Sequence, residues 1–193
     1  MELSIILVAV SYFMGNISPA IMIGKIYGVD IKKEGSGNAG TTNVLRVLGK
    51  KAAAATLAID VFKGVAAVLL GMYAGGLELA MICGIAVFCG HIWPIMYNFK
   101  GGKGVATAFG VIITTAPAIG AGVLGAALLI IAVSRRVSVG AITCAAVFPV
   151  VVALYDSELM IWAIILGSIV LIKHRQNMMR LFRGEEPKLS FKK

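Results

Sequence analysis

Apolar runs close to the length of a bilayer crossing, separated by short cationic breaks, constrain this chain more than any other feature. A crossing helix needs about 20 apolar residues, and runs of that order occupy about 3–24, 52–74 and 78–97. Two further runs, about 105–133 and 137–172, are too long for one comfortable crossing each. The first is interrupted at Thr114-Thr115-Ala116-Pro117, and proline ends or kinks a helix. Lys100 and Lys103 precede it, and Arg135 and Arg136 follow it. A single crossing would leave one of these pairs outside, whereas Lys and Arg are retained on the cytoplasmic side. Two short helices around Pro117 keep both pairs inside. The second run carries the acidic, turn-like Tyr155-Asp156-Ser157-Glu158 at its middle, with Lys173 and Arg175 after it. It divides in the same way, into spans of about 138–154 and 159–172.

The expected fold class is therefore all-α: a polytopic membrane helix bundle of about seven transmembrane helices, several of them short. The N-terminus is expected outside and the C-terminus in the cytoplasm. No repeat of fixed period and no composition break marks a second domain, so residues 1–193 are expected to form a single membrane domain. Composition agrees. Hydrophobic residues make up 59% of the chain and charged ones 14%, against about 45–50% and about 25% in soluble domains. Glu2 stands where a secretory signal would be cationic, and no small-residue cleavage pattern closes the first run, which reads as a retained span.

The 18 Lys+Arg against 9 Asp+Glu give a formal charge of +9. No nucleic-acid module accompanies this charge, so topology, anionic lipid and anionic substrates explain it, and nucleic acid is excluded as a partner. Cys83, Cys89 and Cys144 lie in apolar stretches without a CxxC pair or metal-ligand spacing, which reads as packing. No metal site and no cofactor is expected. Asp60 and Lys63 alone lie clearly inside a span, three apart on one helical face, where they can pair. Gly71 and Gly75 form a GxxxG that suits close helix packing.

Three polar clusters fall on the expected cytoplasmic side. The first is Gly35-Ser36-Gly37-Asn38-Ala39-Gly40-Thr41-Thr42-Asn43-Val44-Leu45-Arg46. Its glycines let backbone approach a ligand, and Ser36, Asn38, Thr41, Thr42 and Asn43 add donors. Arg46 offers a planar fork for an anion. Thr41 to Leu48 reads as a helix, so a helix N-terminus also faces the anion; the plain alternative is a polar loop returning to the membrane. The second is Lys100-Gly101-Gly102-Lys103-Gly104, leading into a helical run from Val105. Free amides at that helix start and the Lys103 ammonium make a phosphate cradle, although the P-loop spacing is missing and Gly104 stands where Ser or Thr would be. A loop that only enforces topology is the alternative. The third runs from Lys173-His174-Arg175-Gln176-Asn177. His174 and Asn177 share a helix face and can reach one ligand, while Arg180, Arg183, Lys192 and Lys193 read as a basic tail on anionic headgroups. His91, near the end of the third run, is either a base or donor or a packed, hydrogen-bonded histidine. No Ser-His-Asp order stands out.

At these clusters the chain resembles the bacterial acyl-phosphate:glycerol-3-phosphate acyltransferase family. The matching pieces are Ser36–Arg46, Asp60-Val-Phe-Lys63-Gly64, Gly90-His-Ile-Trp-Pro94 and Phe99–Thr107. His174-Arg-Gln-Asn177 with Arg180-Leu and Gly184-Glu-Glu-Pro-Lys188 completes the set. The resemblance runs nearly end to end. It implies a multi-pass enzyme of the bacterial inner membrane with its active site on the cytoplasmic face. Its substrates would be acyl phosphate and glycerol 3-phosphate, and its products lysophosphatidic acid and inorganic phosphate. It implies Ser36, Arg46, Lys103 and His174 as catalytic residues. Gly37, Asn38, Thr41, Thr42, Asn43, Gly101, Gly102, Gly104, Ser138, Asn177 and Lys63 would bind substrate or its phosphates, with Asp60 and His91 in support. Ser138 can equally cap the helix that follows Arg135-Arg136. The competing function is a small transporter for an anionic phosphorylated metabolite. Transporters place ionisable groups at the midplane, whereas here the polar clusters crowd one interface.

Overall fold

The computed structural model describes residues 2–189, so Lys192 and Lys193, expected in the basic tail, lie outside the described residues. Regular structure among the described residues is entirely helical. It falls into two compact units, 2–115 and 116–189.

In the first unit, α1 (Glu2–Asn16) and α2 (Pro19–Ile26) share the first apolar run. The break is local: Ser18 is extended (φ −107°, ψ 95°) because the ring of Pro19 disfavours helical backbone before it, and Pro19 then starts α2. The two helices together still make one candidate crossing, Glu2–Ile26, as the first run implied. α3 (Thr41–Leu48) occupies the expected helical half of the first polar cluster. Helix α4 (Lys50–Ile92) is continuous by its hydrogen bonds but leaves helical geometry at Gly75 and Gly76, where Gly76 has φ 74° and ψ −163°. The chain doubles back there. A Cβ on Gly71 would lie 2.6 Å from the Ala80 Cα, whereas nine residues of straight helix span about 13 Å. The two arms coincide with the second and third apolar runs. The second arm stops at Ile92, and Pro94 leads into a short 3-10 turn, Ile95–Tyr97, within the stretch read as span.

Close packing rests on paired glycines. A methyl on Gly15 would strike the Val87 carbonyl, and one on Gly90 the Tyr12 carbonyl, so α1 crosses the second arm of α4 backbone to backbone. Gly64 and Gly110 stand in the same relation where the first arm crosses α5 (Val105–Thr115). Lipid offers no hydrophobic drive for helix association, and such small-residue contacts supply the packing instead. Ile31, Ala39 and Val44 join Ala20, Ile21, Ala52 and Ala53 in a buried cluster that seats the polar loop and α3 on α2 and α4.

The second unit holds α6 (Pro117–Ser134), α7 (Val137–Tyr155), α8 (Met160–Lys173) and α9 (Arg175–Phe182). Pro117 opens α6 after Ala116 leaves helical geometry, and a 3-10 turn at Ser157–Leu159 joins α7 to α8, as the apolar pattern implied. Helix α7 packs against both α6 and α8. α8 and α9 meet at His174 with a bend of 56°. Among the described residues four helical segments are long and apolar enough to cross a membrane, with Glu2–Ile26 and Lys50–Tyr97 each counted as one. There are five if the bent α8–α9 pair is one span, and α5 is a shorter apolar helix. Leu128, Leu129, Val133, Val150 and Leu154 are exposed on α6 and α7, a surface suited to lipid and not to water.

Candidate active site

The first unit brings the first two polar clusters together. Asn43 in α3 is fully buried and organises the loop before it. Its Oδ1 accepts the Ser36 amide at 2.8 Å, and its Nδ2 donates to the carbonyls of Ile31 (2.9 Å) and Glu34 (3.0 Å). The Asn43 amide, read from sequence as a phosphate ligand, is spent on loop backbone. Ser36 is left at an exposed tip, with Gly37 beside it and Asn38 half-buried. Gly40 caps α3, whose first turn carries Thr41 and Thr42. The Thr41 hydroxyl is buried without a hydrogen-bond partner among the described residues. Arg46, in the last turn of α3, is half-buried and forms no ion pair with any described residue.

The second loop is tied to the end of α4. Gly101 N–H donates to the Ile92 carbonyl (3.1 Å) and Gly102 N–H to the His91 carbonyl (3.2 Å). A Cβ on Gly102 would collide with His91 Nε2 and lie 2.8 Å from the Ala39 carbonyl. The two glycine loops therefore touch at Gly102. Gly104 has φ 82°, and a side chain there would also strike the Phe88 ring, so glycine is required twice over where Ser or Thr would complete a P-loop. α5 begins directly after it at Val105, and Lys103 is half-buried at that helix start. At the rim, Lys32 Nζ sits 5.2 Å from the Tyr97 ring centroid. Burial and the nearby charge of Lys100 lower its pKa against the opposing pull of Asp30.

Beneath these loops lies a buried ionic cluster. Lys63 Nζ is 2.8 Å from Asp60 Oδ1 and 2.8 Å from His91 Nδ1, and His91 Nδ1 is 3.2 Å from Asp60 Oδ1. The pairing expected from the three-residue spacing is present. Lys63 also donates to the carbonyls of Gly15 (3.1 Å) and Ile17 (2.8 Å), the orphaned end of α1. Its head is therefore engaged by the fold at these contacts, in the supporting position that is the alternative to a site-lining one.

The second unit has its own polar centre. Glu186 is buried, and its Oε1 accepts Ser138 Oγ (2.6 Å) and Asn177 Nδ2 (2.6 Å), while Oε2 accepts Arg180 Nε (2.7 Å). Arg136 Nε donates to the Glu186 carbonyl at 2.9 Å. Burial pushes the Glu186 carboxyl up, but hydrogen bonds from Ser138, Asn177 and Arg180 and the Arg180 charge outweigh it, and its pKa falls below the ordinary 4.5. Ser138 is thus no helix cap, and Arg180, read from sequence as a headgroup contact, turns inward. His174 is buried, and its Nδ1 lies 2.8 Å from the Val170 carbonyl, which can only accept. The ring hydrogen is therefore on Nδ1, and Nε2 is the basic nitrogen. Glu186 was not singled out from sequence; its one signal was a carboxylate inside an otherwise cationic tail.

Among the described residues no group of three or more acidic, histidine or cysteine side chains is placed to hold a metal. In the first unit the chemistry on offer is anion recognition by loop backbone, Arg46 and Lys103; in the second unit it is the imidazole of His174.

The glycerol-3-phosphate acyltransferase family profile matches residues 5–184. The glycerol-3-phosphate acyltransferase of Thermoanaerobacter sp. strain X514 is 45% identical over 186 residues, covering 95% of this chain and 94% of that one. That of Trichlorobacter lovleyi is 41% identical over 184 residues, 94% of this chain and 95% of the relative. Among solved structures, the crystal structure of PlsY (YgiH), an integral membrane glycerol 3-phosphate acyltransferase, in its glycerol 3-phosphate form superposes with a TM-score of 0.92. Identity there is 34%, over 97% of this chain and 96% of that one. The lysophosphatidic acid form of PlsY gives 0.89 at 33% identity, with the same coverage.

Proposed function

The chain belongs to the glycerol-3-phosphate acyltransferase family, and from that premise we propose that it transfers a fatty acyl group from acyl phosphate to the 1-hydroxyl of sn-glycerol 3-phosphate. The carbonyl carbon of the donor forms an ester bond to the hydroxyl oxygen as its bond to the phosphate oxygen breaks. The hydroxyl proton leaves to the departing phosphate or to His174 Nε2, and the products are lysophosphatidic acid and inorganic phosphate. This is the first step of phospholipid biosynthesis.

The observation that carries the reading is Arg46: a half-buried guanidinium without a carboxylate partner among the described residues, in a membrane chain whose two glycine loops meet at Gly102. A guanidinium so placed suits a phosphate ligand. Gly101 and Gly102 hold their loop in place through their bonds to the Ile92 and His91 carbonyls. Arg46, Lys103 and the Gly104 amide bind phosphate, and Ser36, Gly37, Asn38, Thr41 and Thr42 shape the loop around it. Fixed donors of this kind stabilise both the departing phosphate and the oxyanion on the acyl carbon. The donor is already activated, so no acyl-enzyme is needed. His174 serves proton transfer, and Ser138 and Asn177, held by Glu186, serve substrate binding. No cofactor takes part.

The chain acts as a single domain, residues 1–193, in the bacterial inner membrane. It crosses seven times, counting both arms of α4 and the short α5, with the N-terminus outside and the active site cytoplasmic. The distribution of Lys and Arg supports that orientation. The test is purified protein with radiolabelled glycerol 3-phosphate and acyl phosphate, acyl-carrier protein thioester or acyl-coenzyme A in turn. Product with acyl phosphate alone is expected. Product only with a thioester overturns the donor assignment, and flux into liposomes without product returns the transporter.

A further inference from the structure

The Asp60–Lys63–His91 cluster is unused by the proposed chemistry, yet it is buried, ion-paired and adjoins the Gly101–Gly104 loop. Its hydrogen-bond logic is restrictive. Lys63 is an ammonium facing a carboxylate and has hydrogens to give and no lone pair to offer. At 2.8 Å, His91 Nδ1 is therefore the acceptor. The ring is neutral, and its hydrogen is on Nε2. Two of the Lys63 hydrogens go to the Gly15 and Ile17 carbonyls. The third is directed to His91 Nδ1, while Asp60 Oδ1, 2.8 Å from Nζ, pairs with the ammonium by charge and has no hydrogen-bond partner among the described residues.

The consequence appears at the other edge of the ring. Nε2 lies against Gly102, where even a methyl group would collide, and the Ala39 carbonyl of the first loop borders the same point. The His91 backbone carbonyl meanwhile accepts the Gly102 amide. One residue thus meets the second loop through ring and backbone, at the place where the first loop touches it. The ring cannot rotate without breaking its bond to Lys63, and Lys63 cannot move without releasing the end of α1.

We propose that His91 is a positioning residue, held in its Nε2–H tautomer by Lys63 and Asp60, which clasps the Gly101–Gly104 loop against the Ala39 turn and so sets the spacing of the two phosphate-binding loops. Its effect is on ground-state phosphate binding and not on proton transfer. This rests on the acyltransferase reading for its kinetic readout but not for its structural one.

The experiment compares wild type, His91→Phe, His91→Gln and Gly102→Ala in purified protein. Each is assayed for KM and kcat with glycerol 3-phosphate and for amide hydrogen exchange across residues 99–104. His91→Phe should raise KM about tenfold with kcat within about threefold, and speed exchange in that segment. Glutamine can place an N–H near the Nε2 position, so His91→Gln should recover most of the KM and of the protection. Gly102→Ala pushes loop and ring apart while leaving all three cluster side chains in the sequence and should reproduce the His91→Phe behaviour even if that variant fails to fold. Unchanged KM and exchange in Gly102→Ala, or loss of kcat at constant KM, overturns the proposal. So does a glutamine variant no better than phenylalanine. Absence of acyl transfer by the wild type defeats the function instead, and the exchange comparison still decides the clasp.

Discussion

Glu186 accepts a 2.6 Å hydrogen bond from Asn177 nine residues earlier, and both side chains are buried. The same oxygen takes Ser138, from a helix 48 residues upstream, so one carboxylate locks the C-terminal segment onto α7 and α9. Replacing Glu186 by leucine leaves the Ser138 hydroxyl, the Asn177 amide and the Arg180 guanidinium without their acceptor. Hydrogen bonds to a charged group contribute about 1.5–3 kcal/mol each, and Arg180 is partly exposed, so a loss of about 3 kcal/mol or more is expected. Glu186→Gln retains an acceptor oxygen and should lose less. Thermal unfolding of both variants in detergent checks the order; equal stability of Glu186→Leu and wild type would refute the hub.

The same carboxylate makes stability depend on pH. Its folded-state pKa lies below the ordinary 4.5, so folding releases its proton more readily than the unfolded chain does. The contribution is complete above pH 4.5 and is lost as pH falls through the lowered folded-state value. Between pH 6 and pH 3 the melting temperature of wild type should therefore fall more than that of Glu186→Gln, which cannot titrate there. Parallel curves would show that Glu186 is not held ionised by its neighbours.

Asn43 discriminates between a loop staple and a phosphate ligand. Asn43→Asp keeps the acceptor for the Ser36 amide but faces the Ile31 and Glu34 carbonyls with oxygen in place of the donating nitrogen. Aspartate should thus be at least as damaging to stability as alanine, with a loss of about 2–3 kcal/mol for either. If aspartate is tolerated and alanine is not, the Nδ2 bonds contribute nothing.

How much of this was legible follows the range of the interactions. The starts of α3 and α5, the break at Pro117 and the turn after Tyr155 were readable because each depends on glycine, proline or polar residues within a few positions. The Asp60–Lys63 pair was readable for the same reason, being one helical turn apart. The break at Ser18-Pro19 carried a local signal that the even hydrophobicity of the run concealed. What sequence could not supply were bonds across tens of residues. Lys63 on the carbonyls of Gly15 and Ile17, and Glu186 on Ser138, depend on helix packing and have no periodicity. Asn43, Lys63 and Arg180 carry groups that bind phosphate or lipid well, and internal acceptors that sequence could not reveal engage those same groups.

Arg46 and Lys103 are the cations proposed to bind substrate phosphate, and their replacement separates binding from folding. Arg46 forms no ion pair with a described residue, so Arg46→Ala removes no internal partner and should keep the melting temperature within a few degrees. Turnover should fall by about 10²–10³, the loss typical of removing a donor aimed at transition-state charge. Arg46→Lys retains charge but loses the two-pronged geometry, and should recover only a minor part. Lys103→Ala should match Arg46→Ala in activity, since Lys103 lies on one of the glycine loops that meet at Gly102 and Arg46 on the helix that follows the other. Steady-state rates with acyl phosphate, beside melting curves for the same preparations, provide the measurement. Near-full activity in either alanine variant would remove that residue from the site.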